Sequence, residues 1–186
     1  RSTLFPYTTL FRSGLLCLWL YRENAKEYET IPEVVRRIED LKEIRLISSR
    51  PQLADVPHLF AQITQPMDCG FILIPCHSSE NRKYIPMGYF DEGNIAHNSC
   101  MVIGTNEISL FGILTSAMHM VWVRTVGGRL KTDYRYSAGL CYNTFPFPSI
   151  SDTKKSEIEE AATNVLLVRE NYPEKTLADL YDPEKM

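Results

Sequence analysis
WVRTVGGRLKTDYRYSAGLCY, residues 122–142, begins as the end of a helix and continues as an extended, charged segment. Upstream, Phe111, Leu114, Met118, Val121, Trp122 and Thr125 fall on one stripe, which predicts a helix over residues 109–126. Gly127-Gly128 stops that helix. The glycines also let backbone come close to a ligand. Beyond them the stretch offers Arg124, Arg129, Lys131 and Arg135 against one acid, Asp133, with Tyr134 and Tyr136 interleaved. Side chains of an extended segment point to opposite faces in turn, so the charges can meet a groove while the aromatics meet a core. Arg and Lys supply contacts to phosphates, and bidentate pairing to guanine is open to them. A solvated strand edge would have the same composition.

Outward from this stretch, Ile31, Val34, Val35, Ile38, Leu41 and Ile44 predict an amphipathic helix over residues 31–47, with Pro32 in its first turn. A Pro-bounded loop, 48–57, follows. Short β-like runs occur at residues 71–75, 83–87 and 101–104, and Asp91-Glu92-Gly93-Asn94 is a turn. Residues 140–143 read as a strand. Phe145-Pro146-Phe147-Pro148 is extended, because each Pro biases its predecessor away from helix. Ser151 or Asp152 can cap a last long helix, 153–170, whose stripe is Ile158, Ala162, Val165 and Leu166. A short helical turn is expected at 176–181. The class is α+β: a mixed body of short strands with one central helix, between an N-terminal linker helix and a C-terminal helix.

Composition excludes several classes. Apolar residues make up 44% and charged residues 23% of the 186, so a real core is available. The net charge of −3 means that any nucleic-acid contact must come from a local patch or from a larger parent protein. The cysteines, Cys17, Cys69, Cys76, Cys100 and Cys141, are odd in number and form no Cys-x-x-Cys pair. Buried free thiols in a reducing cytoplasm are the plain reading. The apolar run 15–20 is too short to span a bilayer, so no membrane partner is expected. Residues 1–13, RSTLFPYTTLFRS, contain a near-duplicate and resemble a translated sequencing adaptor; a mitochondrial presequence is the rival. On the adaptor reading they are not native, and the chain is a fragment of a longer frame.

Catalytic chemistry has little support. Cys76 and His77 are neighbours, and neighbours on a strand point apart, so they cannot form a nucleophile–base pair. His58, His77, His97 and His119 lack ligand spacing. His119 lies within the 109–126 helix beside Met118 and Met120, where a packed, hydrogen-bonded imidazole is expected rather than a general base. No glycine-rich cofactor loop or metal-nuclease cluster stands out. A second polar run, Ser78, Ser79, Glu80, Asn81, Arg82 and Lys83, suits a phosphate backbone; a solvated β-turn is the alternative.

Four blocks, in order, resemble the MmeI-like type IIL/IIG restriction–modification enzymes: SSENRKYIP (78–86), LTSAMHMVWVRTVGGRLKTDYRYS (114–137), YNTFPFP (142–148) and LADLYDP (177–183). The resemblance covers residues 17–186. Such enzymes fuse a nuclease, an adenine-N6 methyltransferase using S-adenosylmethionine, a target-recognition domain and a helical C-terminal region. Placed on that pattern, 14–47 resembles the linker leaving the methyltransferase, 48–148 the recognition domain, and 149–186 the start of the helical tail. No Asn-Pro-Pro-Tyr-like catalytic motif is present. The resemblance therefore implies a recognition fragment inactive by itself. Its partners would be double-stranded DNA and the methyltransferase of the same parent, which would use S-adenosylmethionine and, for cleavage, Mg2+.

In that family the positions held here by Lys131 and Asp133 vary together with one base of the target. Lys131 can donate to O6 and N7 of guanine, and Asp133 can accept from the amino group of the paired cytosine. Arg129, Arg135, Arg82 and Lys83 are further candidates for DNA contact. Two other classes remain open: a small intact protein-binding module, and a small enzyme using Cys76 or His119.

Overall fold
The computed structural model describes residues 19–20 and 25–184. The adaptor-like stretch 1–13, residue Gly14 and Cys17 lie outside them. The chain divides into two compact units that meet in sequence between Ile63 and Thr64.

The first unit holds α1 (Ala25–Tyr28), α2 (Pro32–Leu46) and a 3-10 turn (Pro51–Asp55). Pro32 occupies the first turn of α2, where its missing N–H costs nothing. Val34, Val35 and Ile38 are half-buried, while Ile31, Leu41 and Ile44 are exposed. The unit is therefore closed largely by polar contacts. The Arg45 guanidinium donates to the carbonyls of Leu53, Val56 and Leu59 at 3.0, 3.0 and 2.8 Å, tying the following loop to the end of the helix. Trp19 stacks on Phe60, with ring centres 4.9 Å apart.

In the second unit, β1 (Phe71–Pro75) is the central strand of a three-stranded antiparallel sheet, between β3 (Gly88–Phe90) and β4 (Cys100–Gly104). FILIP is apolar at every position because both faces of the strand are covered. Ile72 and Ile74 enter the main core with Phe111, Leu114, Met120, Val123 and Tyr136. Phe71 and Leu73 pack with Cys100 on the other side. A second antiparallel sheet, in the order β2-β6-β5, is built from β2 (His77–Ser78), β5 (Gly128–Leu130) and β6 (Asp133–Arg135).

The expected central helix is broken into α3 (Ile108–Leu114) and α4 (Ala117–Val126). Thr115 Oγ1 donates back to the Phe111 carbonyl, and Ser116 adopts an extended conformation and caps α4 by accepting from the His119 N–H. Hydroxyl side chains compete with the helix for backbone partners, and the apolar stripe could not reveal that competition. Two strand expectations also fail. Residues 83–87 run irregularly, since Pro86 has no N–H and Met87 N–H bonds to the nearby Ile85 carbonyl. Residues 140–142 fall within a wide helical turn (Ala138–Tyr142), which Asn143 closes through its N–H on the Ala138 carbonyl.

The last long helix, α5 (Asp152–Glu170), is capped by Ser151 and packs on α3. Gly112 makes that approach possible: a Cβ there would lie 2.6 Å from Ile158 Cγ2 and 3.2 Å from the Ile158 carbonyl. Arg169, near the end of α5, donates to the Met87 carbonyl at 2.9 Å and lies over the Phe111 ring. The short α6 (Leu177–Leu180) starts with a reciprocal cap between Thr176 and Asp179.

At the junction of these elements His119 is fully buried, and its Nε2 shares a 2.9 Å hydrogen bond with the Tyr136 hydroxyl. The Phe145 ring meets the imidazole edge-on, 4.6 Å away.

Two stability measurements test this packing. Gly112→Ala should destabilise the protein, because a clash costing about 1–3 kcal/mol outweighs about 1 kcal/mol of gained helix propensity; a urea midpoint at or above wild type would contradict the close approach. Burial holds the His119 pKa down to about 4. The unfolded imidazole takes up its proton near 6.5, so this contribution is intact above that pH and is lost as pH falls toward 4. Lowering pH from 7 to 5 should cost about 2 kcal/mol in wild type through this group, and that increment should vanish in His119→Gln.

Candidate nucleic-acid interface
The hairpin of β5 and β6 pairs Gly128 with Arg135, Arg129 with Tyr134 and Leu130 with Asp133, leaving Lys131-Thr132 as a two-residue turn. Such turns match the twist of their strands when the first turn residue has positive φ, a place usually taken by Gly or Asn. Here it is Lys131, at φ +57°, which costs roughly 1 kcal/mol for a side chain of this kind. Lys131 is exposed at the tip of the hairpin.

Along β6 the side chains alternate as the spacing predicts. Tyr134 and, just beyond the strand, Tyr136 are buried, while Asp133 and Arg135 are exposed. Cross-strand partners share a face. One face therefore carries Ser78, Tyr134 and Arg129, and the other carries His77, Arg135, Leu130 and Asp133. The outer face is the open one: His77, Leu130, Asp133 and Arg135 are all exposed.

The six candidate residues do not play one part. The Arg129 guanidinium lies 4.1 Å from the centre of the Tyr134 ring and donates to the Thr132 carbonyl, so it braces the hairpin from its inner face. Lys131 and Asp133 form no ion pair with each other among the described residues. Asp133 Oδ1 accepts from the Glu80 backbone N–H at 3.1 Å, which brings the 78–83 run alongside the hairpin. In that run Lys83 is exposed, and its carbonyl accepts from Arg124 Nη2 at 2.9 Å. Arg82 is half-buried, with its Nε covered and without a partner among the described residues.

His77 is the residue that sequence reasoning missed as part of this surface. It stands directly across from Arg135, a pairing that only the sheet register creates. The linear pattern sets it beside Cys76, which lies in the bend between β1 and β2, while His77 is exposed on β2. Cys76 is half-buried, and burial raises its thiol pKa against the pull of Arg135. A small cavity beside His119 is lined by Tyr84, Thr115, Ser116 and apolar side chains, with no carboxylate and no thiol. The geometry that a Cys- or His-dependent enzyme requires is not assembled there. Among the described residues, no group of three or more His, Cys, Asp or Glu could hold a metal ion, and no helix is long and apolar enough to cross a membrane.

The α+β body presents a short, polar β-hairpin over a packed core. The chain belongs to the MmeI target-recognition-domain family, whose model matches residues 13–149, and residues 150–186 match the MmeI C-terminal domain. It is 46% identical over 173 residues to DNA methyltransferase A of Bacillus subtilis (strain 168), covering 91% of this chain and 20% of that protein. It is also 46% identical, with a TM-score of 0.82, to the type IIL restriction–modification enzyme MmeI, solved in complex with DNA; 91% of this chain and 23% of that one are covered. The chain thus spans about a fifth of the length of these relatives.

The division between bracing and open cations is measurable. Arg129→Ala should lower stability by about 1 kcal/mol through loss of the ring contact and the turn hydrogen bond, whereas Arg135→Ala should change it by less than about 0.5 kcal/mol. Equal losses in thermal or urea unfolding would contradict this assignment.

Proposed function
We propose that this chain is a sequence-specific recognition module for double-stranded DNA, working as part of a longer adenine-N6 DNA methyltransferase with restriction activity. The observation that carries the reading is the placement of Lys131 and Asp133. Both stand exposed at the end of the β5–β6 hairpin, where β2 no longer pairs with β6, and neither is paired in a core. A major groove about 12 Å wide admits such a ribbon. From the groove, the Lys131 ammonium donates to O6 and N7 of guanine. The free oxygen of Asp133 accepts from N4 of the cytosine in the same pair.

The strained tip supports this reading, since a lysine sits where Gly or Asn would fit without cost. Family membership and the DNA-bound MmeI relative support it independently. Arg135 and His77 lie on the same face as Asp133, two strand positions along, and contact neighbouring bases or phosphates in this arrangement. Lys83 and Arg82 face the backbone. The local patch accounts for DNA binding by a chain whose net charge is −3. Methyl transfer with S-adenosylmethionine and any Mg2+-dependent cleavage are assigned to the rest of the longer protein.

Selection of bound duplexes from a random pool tests the reading. Wild type should enrich guanine at the position read by Lys131, with a preference of roughly 5- to 150-fold, corresponding to about 1–3 kcal/mol. Lys131→Glu with Asp133→Arg should turn that base pair around. An unchanged motif in the double variant removes the assignment.

A further inference from the structure
We propose that Asp133 is also a positioning residue: its carboxylate holds the 79–83 turn against the reading hairpin, so that base choice and backbone contact are coupled through one side chain. The inference rests on the DNA-recognition reading. It starts from how the turn is fixed. Ser78 is the last residue of β2 paired to β6, opposite Tyr134. Immediately beyond it the chain leaves the sheet and bends, with Arg82 N–H on the Ser79 carbonyl and Asn81 N–H on Ser79 Oγ. These are contacts internal to the bend, and they do not say where it points.

Two outside contacts do. Asp133 Oδ1 accepts from Glu80 N–H at 3.1 Å at the start of the bend, and Arg124 Nη2 donates to the Lys83 carbonyl at 2.9 Å at its end. One clamp comes from the reading strand and the other from α4. Between them lie Arg82 and Lys83, the cations assigned to the DNA backbone. The carboxylate thus divides its oxygens: one orients the turn, and the other remains for the cytosine amino group. Arginine in this place, as in the charge-reversed double variant, cannot accept from Glu80, so that variant should read the opposite base pair while losing backbone affinity.

The salt dependence separates this role from base reading and from plain electrostatics. Loss of the cytosine contact weakens binding in either case, and loss of one negative charge alone does not lower the salt slope. If the group holds the turn, its removal lowers the salt dependence. Asparagine keeps an acceptor oxygen and loses the charge, so Asp133→Asn separates the two cases.

Two measurements on the 186-residue chain test the proposal. Without DNA, amide exchange at Glu80 should quicken roughly fivefold or more in Asp133→Ala and stay near wild type in Asp133→Asn. With a selected duplex, the slope of log affinity against log salt should fall by about 1–2 in Asp133→Ala and by less than about 0.5 in Asp133→Asn. Arg82→Ala with Lys83→Ala should lower the slope in wild type and add little in the Asp133→Ala background. The proposal is overturned by unchanged Glu80 exchange, by an Asp133→Asn chain that behaves like Asp133→Ala, or by an Asp133→Ala chain that binds as tightly as wild type with the same slope. A wild-type chain without salt-dependent duplex binding sinks the recognition reading, and the coupling with it; the exchange result then still reports whether Asp133 fixes the turn.

Discussion

The hydrogen bond between His119 and Tyr136 sets the orientation of everything on the hairpin. Tyr136 is buried, its hydroxyl bonds to an imidazole on α4, and its N–H donates to the Cys76 carbonyl at 2.9 Å. A buried phenol without a partner would cost about 1–3 kcal/mol, so this residue has one stable placement. Strand alternation does the rest. With Tyr136 and Tyr134 directed inward, Asp133 and Arg135 must face outward. A contact in the core therefore determines which side chains the surface offers.

The cations show how an acidic chain can present a positive site. Arg45 and Arg169 satisfy backbone carbonyls within their own units, Arg124 clamps the 79–83 turn, and Arg129 lies on Tyr134. Each guanidinium has a partner within the fold, where its geometry suits several acceptors or an aromatic face, although Arg124 and Arg129 are also exposed. Lys131 and Arg135 are exposed on or beside one open face. Some acids of α2 and α5 are matched locally, Glu33 with Arg36 and Arg37, Asp40 with Arg36, and Glu157 with Lys154. The overall charge thus says little about the potential at the hairpin.

The legible parts of the sequence were those governed by one dominant pattern. FILIP read as a short β-like run, Ser151 or Asp152 read as a helix cap, and the Asp-Tyr-Arg-Tyr alternation allowed an outer and an inner face. The break at Thr115-Ser116 was hidden because the apolar stripe runs through it, while the hydroxyls decide it by bonding to backbone. The turn at 138–142 was hidden for a similar reason: a short apolar run has no period of its own to tell a strand from a helical turn. The hairpin itself, and with it His77 opposite Arg135, depends on long-range pairing. The tip carries Lys-Thr in place of the Asn-Gly or Gly-X pair that would have announced it. The contact between Asp133 and Glu80 joins two polar runs that the sequence presented separately.

The seam between α3 and α5 bears on how specificity could be transplanted. The family boundary falls at residues 149 and 150, yet Gly112 on one side and Ile158 and Ala162 on the other are in van der Waals contact, and Arg169 reaches back to Phe111 and Met87. A graft that ends at the boundary would leave the exposed flank of α3 to find a foreign helix of matching relief. A cassette that keeps this seam includes α5, and because Arg169 also donates to the Tyr181 hydroxyl its contacts run on past α6.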